Sequence, residues 1–258
     1  MAGSTQDPFT AALAHERPVL GIWISIADRL SIETVARAGY DFAILDAQHG
    51  GIGWESMLGA IQTLDLHRVP ALVRVETNDP ARIMRALDLG ARGVIVPMIE
   101  NAQQAEVAAR ACRYPPAGNR SFGQVRSFYS AAAGEAPQPL CFAMIETSKA
   151  MDNLDAIAAI PGLDGMFMGP VDLALSFGFS AEEALAIPAP VSAAIDRVRA
   201  ACSAQRLIAG CPAFNRENAR ELLQRGMQLL PVGADIGFLR RAASAEIAEI
   251  RSWIEDVS

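Results

Sequence analysis

The run ALVRVETNDPARIMRALDLGARGVIV, from Ala71 to Val96, decides the fold. It opens on a short apolar strand, Ala71–Val75, and passes into an amphipathic helical pattern, Pro80–Leu89. It then stops at Leu89-Gly90 and returns to a second strand, Gly93–Val96. Glycine suits such a stop because it takes the left-handed conformation without a clash at Cβ. Two neighbouring strands joined through a helix lie parallel, and the crossover is right-handed.

The same rhythm extends to both ends of the chain. Strands are expected at Val19–Ile24, Phe42–Leu45, Ala71–Val75, Gly93–Val96, Cys141–Ile145, Gly165–Met168, Leu207–Gly210 and Gln228–Val232. Helical patterns fall between them at Ser31–Ala38, Trp54–Leu64, Pro80–Leu89, Ala102–Cys112, Ala150–Ile160, Val191–Ala204 and Arg216–Arg225, and a closing helix spans Ile236–Ile254. Eight units in 258 residues favour an α/β fold of a single domain, residues 1–258, closed into a (β/α)8 barrel. An open doubly wound sheet is the alternative, but no G-x-G-x-x-G follows an early strand.

Two connections break the rhythm. Residues 113–139 are read as a long irregular connection after the fourth strand, and residues 169–190 as another after the sixth. Both are placed at strand C-termini, where barrel enzymes keep their active sites. The closing helix carries an apolar stripe, Ile236, Leu239, Ala243, Ile247, Ile250 and Ile254. Packing on its own barrel is one reading of the stripe, and an oligomer contact is the other.

Composition narrows the function classes. An apolar fraction of 51% and a charged fraction of 20% exclude a disordered chain. A net charge of −7 with scattered basic residues argues against nucleic acid or an anionic membrane as partner. Residues 1–17 are polar, are interrupted by Pro8 and lack a targeting pattern, and no apolar run reaches the ~20 residues of a membrane span, so the cytoplasm is expected. Cys112, Cys141, Cys202 and Cys211 share no metal-type spacing and read as small core residues.

The chemistry is expected at the strand ends. These carry Asp46, Gln48 and His49 after the second strand, Arg74 and Glu76 on the third, Glu146 after the fifth and Asp172 after the sixth. In a barrel these ends face one cavity. Glu146 and Asp172 form an oxygen-only pair suited to Mg2+ or Mn2+, whereas three histidines in the whole chain make zinc a poor fit. A helix cap or an arginine partner is the other reading of each acid. His49 stands three residues after Asp46, where that carboxylate could orient it as a general base. A buried Arg74 needs an anion: Glu76, Asp46 or a substrate oxygen. Lys149, the only lysine, is read as a helix-surface residue, which leaves carbanion stabilisation to a metal rather than a Schiff base.

With these residues in place, the chain resembles the metal-dependent pyruvate aldolases of the HpcH/HpaI family. The resemblance runs from Gly21-Ile22-Trp23 to Val232-Gly233-Ala234-Asp235. It rests on Asp46-Ala47-Gln48-His49-Gly50, on Val73-Arg74 followed by Asn78-Asp79-Pro80, and on Val96-Pro97-Met98. To these add Arg113-Tyr114-Pro115-Pro116-Ala117-Gly118, Ile145-Glu146-Thr147 and Gly169-Pro170-Val171-Asp172-Leu173.

It implies reversible cleavage of 4-hydroxy-2-oxo acids to pyruvate and an aldehyde. Glu146 and Asp172 would hold the divalent ion, Mg2+ or Mn2+ with Co2+ as a further option. Backbone amides around Val171 and Asp172 would hold the pyruvate carboxylate, with Gly169, Trp23 and Gln48 also lining the substrate site. Arg74 would meet the keto oxygen, and His49, supported by Asp46, would act through water as the base. Asp88 would serve at a subunit contact near a neighbouring site, in a hexamer whose last helix packs on a partner barrel. Gln48 stands where some relatives carry Glu, and Met144 where some carry Gln, which bears on acceptor preference. The alternatives are a citrate-lyase-like or malyl-CoA-type lyase, oxaloacetate decarboxylation through the same enolate, and a barrel that binds a keto acid without catalysis.

Overall fold

A computed structural model describes residues 8–123, 126 and 138–257. Eight parallel strands close in sequence order into a barrel: β1 Val19–Ile24, β2 Phe42–Asp46, β3 Ala71–Arg74, β4 Gly93–Val96, β5 Leu140–Ile145, β6 Gly165–Met168, β7 Ile208–Gly210 and β8 Leu229–Ala234. All eight expected strands are present, three with the expected ends and the others with an end displaced by a residue or two.

Side chains alternate across each strand and divide the core in two. Val19, Phe42, Ile44, Leu72, Ile95, Phe142, Met144, Phe167 and Leu229 fill the barrel interior. The alternate residues, such as Ile22, Ala43, Leu45, Val73, Val94, Ala143 and Met166, pack outward against the helices.

The helices alternate as expected: α2 Arg29–Ala36, α3 Trp54–Leu66, α4 Pro80–Asp88 and α5 Ala102–Ala111 in the first half. Caps fix their starts. The side chains of Asp28, Asp79 and Asn101 accept from Ser31, Ala81 and Gln104 backbone N–H groups, and Pro80 opens α4, where no backbone donor is required. The expected helix Ala150–Ile160 is two short helices, α6 Ser148–Asp152 and α7 Leu154–Ala158. The break is Asn153, whose side-chain amide donates to the Glu100 and Lys149 carbonyls. The segment 169–190 is not structureless, because it contains α8 Pro170–Ser176 and α9 Ala181–Leu185. After it come α10 Ala189–Gln205, α11 Arg216–Gln224 and α12 Asp235–Val257.

Two expectations change, and the closing helix bears on a reading that was left open. The N-terminal segment contains a helix, α1 Pro8–Ala14, which begins at Pro8 instead of being broken there. Its Phe9, Ala12 and Leu13 are buried in the interior cluster and plug the barrel at the N-terminal ends of the strands, with Phe9 5.5 Å from Phe42.

The connection 113–139 follows α5, not β4, and its described parts therefore lie at that same N-terminal end. Arg113 is anchored there by the Pro139 and Gly162 carbonyls and by Asp164 at 2.6 Å. Residues 124, 125 and 127–137 of the connection lie outside the described residues.

Finally, α12 does not pack down on its own barrel. Asp235 ties its start to the loop after β1 by accepting from Ser25 and Ile26 N–H, but Ile236, Leu239, Ile247, Ile250, Trp253 and Ile254 are all exposed. Among the described residues no helix is long and apolar enough to cross a membrane.

Candidate active site

The strand parity that fills the interior also places the chemistry. Continuing Phe42 and Ile44 by two residues gives Asp46, continuing Leu72 gives Arg74, and continuing Phe142 and Met144 gives Glu146. Each is the last inward residue at the C-terminal end of its strand.

Asp46 and Arg74 are register partners on β2 and β3. Arg74 Nε donates to Asp46 Oδ1 at 2.9 Å and Nη2 to Oδ2 at 2.7 Å, a bidentate pair 7% and 3% exposed. The guanidinium lies 4.6 Å over the Trp23 ring, and Trp23 Nε1 donates to Asp46 Oδ2 at 3.1 Å. The arginine thus has Asp46 as its partner, while Glu76 pairs with Arg82 at 2.7 Å. Burial alone would raise the Asp46 carboxyl, but the hydrogen bonds and charge of Arg74, with Trp23 and the His49 backbone, hold it below the usual range.

Asp46 also receives the Gln48 and His49 backbone N–H groups at 3.1 and 3.2 Å. This corrects the expected imidazole contact. The carboxylate positions the His49 loop through its backbone, because both oxygens are already committed to Arg74 and Trp23. His49 itself is exposed at the rim. Gln48 turns its side-chain oxygen inward without a partner among the described residues.

Glu146 is 3% exposed and accepts from the Met98 backbone N–H at 2.7 Å. Met98 takes a left-handed φ of 56° after β4. Burial pushes the Glu146 carboxyl up, the Met98 bond draws it down, the Asp172 charge raises it and Arg74 lowers it, leaving it above the ordinary range. Its second oxygen faces Gly169, where a Cβ would come within 2.9 Å of it. Only glycine leaves that approach open.

Asp172 lies in the first turn of α8, on the cavity wall, and the N-cap positions of α6 and α8 are Thr147 and Gly169. Neither acid is therefore a helix cap. Their environment, an enclosed oxygen beside a second carboxylate, fits a hard divalent cation that draws its remaining ligands from water or substrate. Among the described residues no group of three or more His, Cys, Asp or Glu forms a fuller metal site. Lys149 is 61% exposed and paired with Glu100, as a surface lysine should be.

Arg74 and Asp172 border a cavity of about 290 Å³ with walls of Trp23, Met144, Phe167, Pro212 and Phe214, to which Arg241 adds a further polar group. A larger cavity of about 1350 Å³ opens at the opposite end of the barrel, beside Phe9 and Pro139, away from the buried acids. Asp88 is at that opposite end, paired with Arg120 at 2.8 Å, because α4 runs back down the barrel. Sequence reading named Met98 only as part of a motif and gave it no role, since its contribution is a backbone N–H, and it missed Arg241, which the apolar stripe of α12 obscured. The glycines at 233 and 237 were the available signal for the latter.

A family model described as HpcH/HpaI aldolase/citrate lyase matches residues 19–242. The chain is 35% identical over 248 residues to the 4-hydroxy-2-oxo-heptane-1,7-dioate aldolase of Salmonella arizonae, with 93% of each chain covered. It is 36% identical over 246 residues to the 4-hydroxy-2-oxovalerate aldolase of Rhodococcus jostii, covering 93% of this chain and 94% of the other. Among solved structures, an HpcH/HpaI aldolase/citrate lyase family protein from Burkholderia cenocepacia superposes with a TM-score of 0.83 at 28% identity, covering 95% and 100%. The citrate synthase SbnG does so with a TM-score of 0.84 at 27% identity, covering 97% and 100%.

Proposed function

The chain belongs to the HpcH/HpaI aldolase/citrate lyase family, and we propose that it is a single-domain aldolase that reversibly cleaves 4-hydroxy-2-oxo acids to pyruvate and an aldehyde. The observation that carries this reading is the buried Glu146, with Asp172 near it, facing an Arg74 locked by Asp46 at one barrel mouth.

Cleavage removes the proton of the C4 hydroxyl, breaks the C3–C4 bond and moves that electron pair toward the C2 keto oxygen. The aldehyde departs, and a proton returned to C3 completes the pyruvate methyl. Arg74 meets the oxygen where charge grows: two of its nitrogens are fixed on Asp46, and Nη1 remains for substrate. Because the pair is bidentate and stacked on Trp23, the donor is oriented before substrate arrives.

Glu146 and Asp172 would hold Mg2+ or Mn2+, with Co2+ as a further option. When bound, the ion supplies positive charge that stabilises the enolate. The first-turn N–H groups of Val171 and Asp172 face the substrate carboxylate beside Gly169. His49, at the rim, exchanges the proton of the aldol hydroxyl with water, and Gln48 offers its unpartnered oxygen nearby. Trp23, Met144 and Phe167 exclude bulk water from the breaking bond.

The exposed stripe of α12 supports self-assembly, with a hexamer as the expected form, and Asp88 would reach a site only across a subunit boundary. We place the enzyme in the cytoplasm, in keeping with four free, buried thiols.

Pyruvate release from 4-hydroxy-2-oxo acids, followed with and without EDTA and then with Mg2+ or Mn2+ restored, tests the reading. Activity that vanishes with chelator and returns with metal is the expected result. Cleavage indifferent to EDTA would overturn the assignment of Glu146 and Asp172.

A further inference from the structure

Of the charged groups that line the cavity, Arg74, Asp172 and Arg241, only Arg241 is not used by this mechanism. It lies on the second turn of α12 and borders the same 290 Å³ cavity as Arg74 and Asp172. Its guanidinium carbon sits 5.1 Å over the Phe238 ring. Two glycines make this arrangement possible. A Cβ at Gly233, where φ is +142°, would overlap the Phe238 ring, and a Cβ at Gly237 would lie 3.3 Å from Arg241 Nη1. The end of β8 is therefore hollowed to seat the phenyl ring, and the first turn of α12 is bare where the guanidinium crosses it.

The cation placed in this way has no acidic partner among the described residues, unlike the buried arginines that border a cavity: Arg74 has Asp46, Arg113 has Asp164 and Arg120 has Asp88. The cavity between Arg241 and the reacting groups is walled by Phe214, Pro212, Ala213 and Pro231, which offer no other charge to a ligand. An elongated substrate with its 2-oxo acid end at Asp172 and Arg74 would run along apolar walls to a second cation.

We propose that Arg241, seated on Phe238, is a specificity-determining residue that recognises a second carboxylate at the far end of the substrate. The preferred substrates are then 4-hydroxy-2-oxo dicarboxylates, whose departing aldehyde is itself anionic. This rests on the aldolase reading and extends it to substrate class. A planar guanidinium held on an aromatic face presents its nitrogens edge-on to a carboxylate, and Arg241 is exposed, so a ligand entering the cavity can reach it.

The test compares Arg241→Ala and Arg241→Lys with the unaltered enzyme, metal-loaded, on 4-hydroxy-2-oxo-heptane-1,7-dioate and on 4-hydroxy-2-oxovalerate. The two share the reacting carbons and differ in the distal carboxylate. Loss of a charge-assisted hydrogen bond should lower kcat/KM for the dicarboxylate by about 10- to 100-fold in Arg241→Ala. The loss should fall mainly on KM, because the distal group binds equally in ground and transition states. Lysine should restore part of it, and the monocarboxylate should change little.

Equal losses on both substrates, no loss on either, or a change in assembly mass in Arg241→Ala would overturn the assignment. Deuterium exchange into the pyruvate methyl separates the two levels. If the unaltered enzyme exchanges and Arg241→Ala loses equally on both substrates or on neither, only the specificity inference fails. If the unaltered enzyme neither exchanges nor cleaves, the aldolase reading fails with it.

Discussion

Asp46 shows how much one side chain can settle. Its carboxylate neutralises a buried arginine, takes an indole N–H and ties down the loop that carries Gln48 and His49. Removing it leaves Arg74 charged and without its partner in a site it cannot leave, so Asp46→Ala should cost about 3–5 kcal/mol in urea unfolding and abolish most cleavage. Asp46→Asn keeps the shape and loses the charge, so its cost should be smaller.

The sign of the pH dependence follows from the depressed carboxyl. Its stabilising contribution is complete above the ordinary carboxylate range and is lost as pH falls through the lower folded-state value. The stability gap between unaltered protein and Asp46→Asn should therefore narrow in acid. A gap independent of pH would show that the charge of Asp46 contributes nothing to the fold. Asp46, Arg74 and Glu146 were legible as candidates because a polar residue ending an apolar strand stands out. The choice of Asp46 over Glu76 as the partner of Arg74 was not legible. Asp46 and Glu76 both lay within reach by sequence order, and only the β2–β3 register set Asp46 beside Arg74.

Among the elements, α1 is the one the sequence reading placed least well, whereas the closing helix expected over Ile236–Ile254 is found over Asp235–Val257. The polar flanks of α1 hid three apolar residues, Phe9, Ala12 and Leu13, spaced for one helical face and buried under the barrel. Phe9→Ala should cost about 3–5 kcal/mol in urea unfolding and leave kcat/KM unchanged, since the plug and the acids lie at opposite ends of the barrel. A large loss of activity without loss of stability would contradict that separation. The helix expected over 150–160 failed for a local reason, because Asn153 spends its amide on two carbonyls and turns the chain.

At the scale of the whole molecule, α12 leaves a stripe of exposed Ile236, Leu239, Ile247, Ile250 and Ile254 that a lone barrel does not cover. Light scattering on Leu239→Glu/Ile250→Glu should show a mass well below that of the unaltered protein. A mass equal to it would mean that the stripe does not hold copies together.

The sequence by itself determined the eight strands, the inner and outer parity of their side chains and the identity of the strand-end acids and arginine, because alternation and helical spacing are properties of a few consecutive residues. Tertiary structure alone decided which end of the barrel each loop occupies, which carboxylate clamps Arg74, that Met98 N–H holds Glu146, and that α12 brings Arg241 to the cavity. Those are distances between residues tens to hundreds of positions apart. They are set by barrel closure and strand register, which no local pattern encodes.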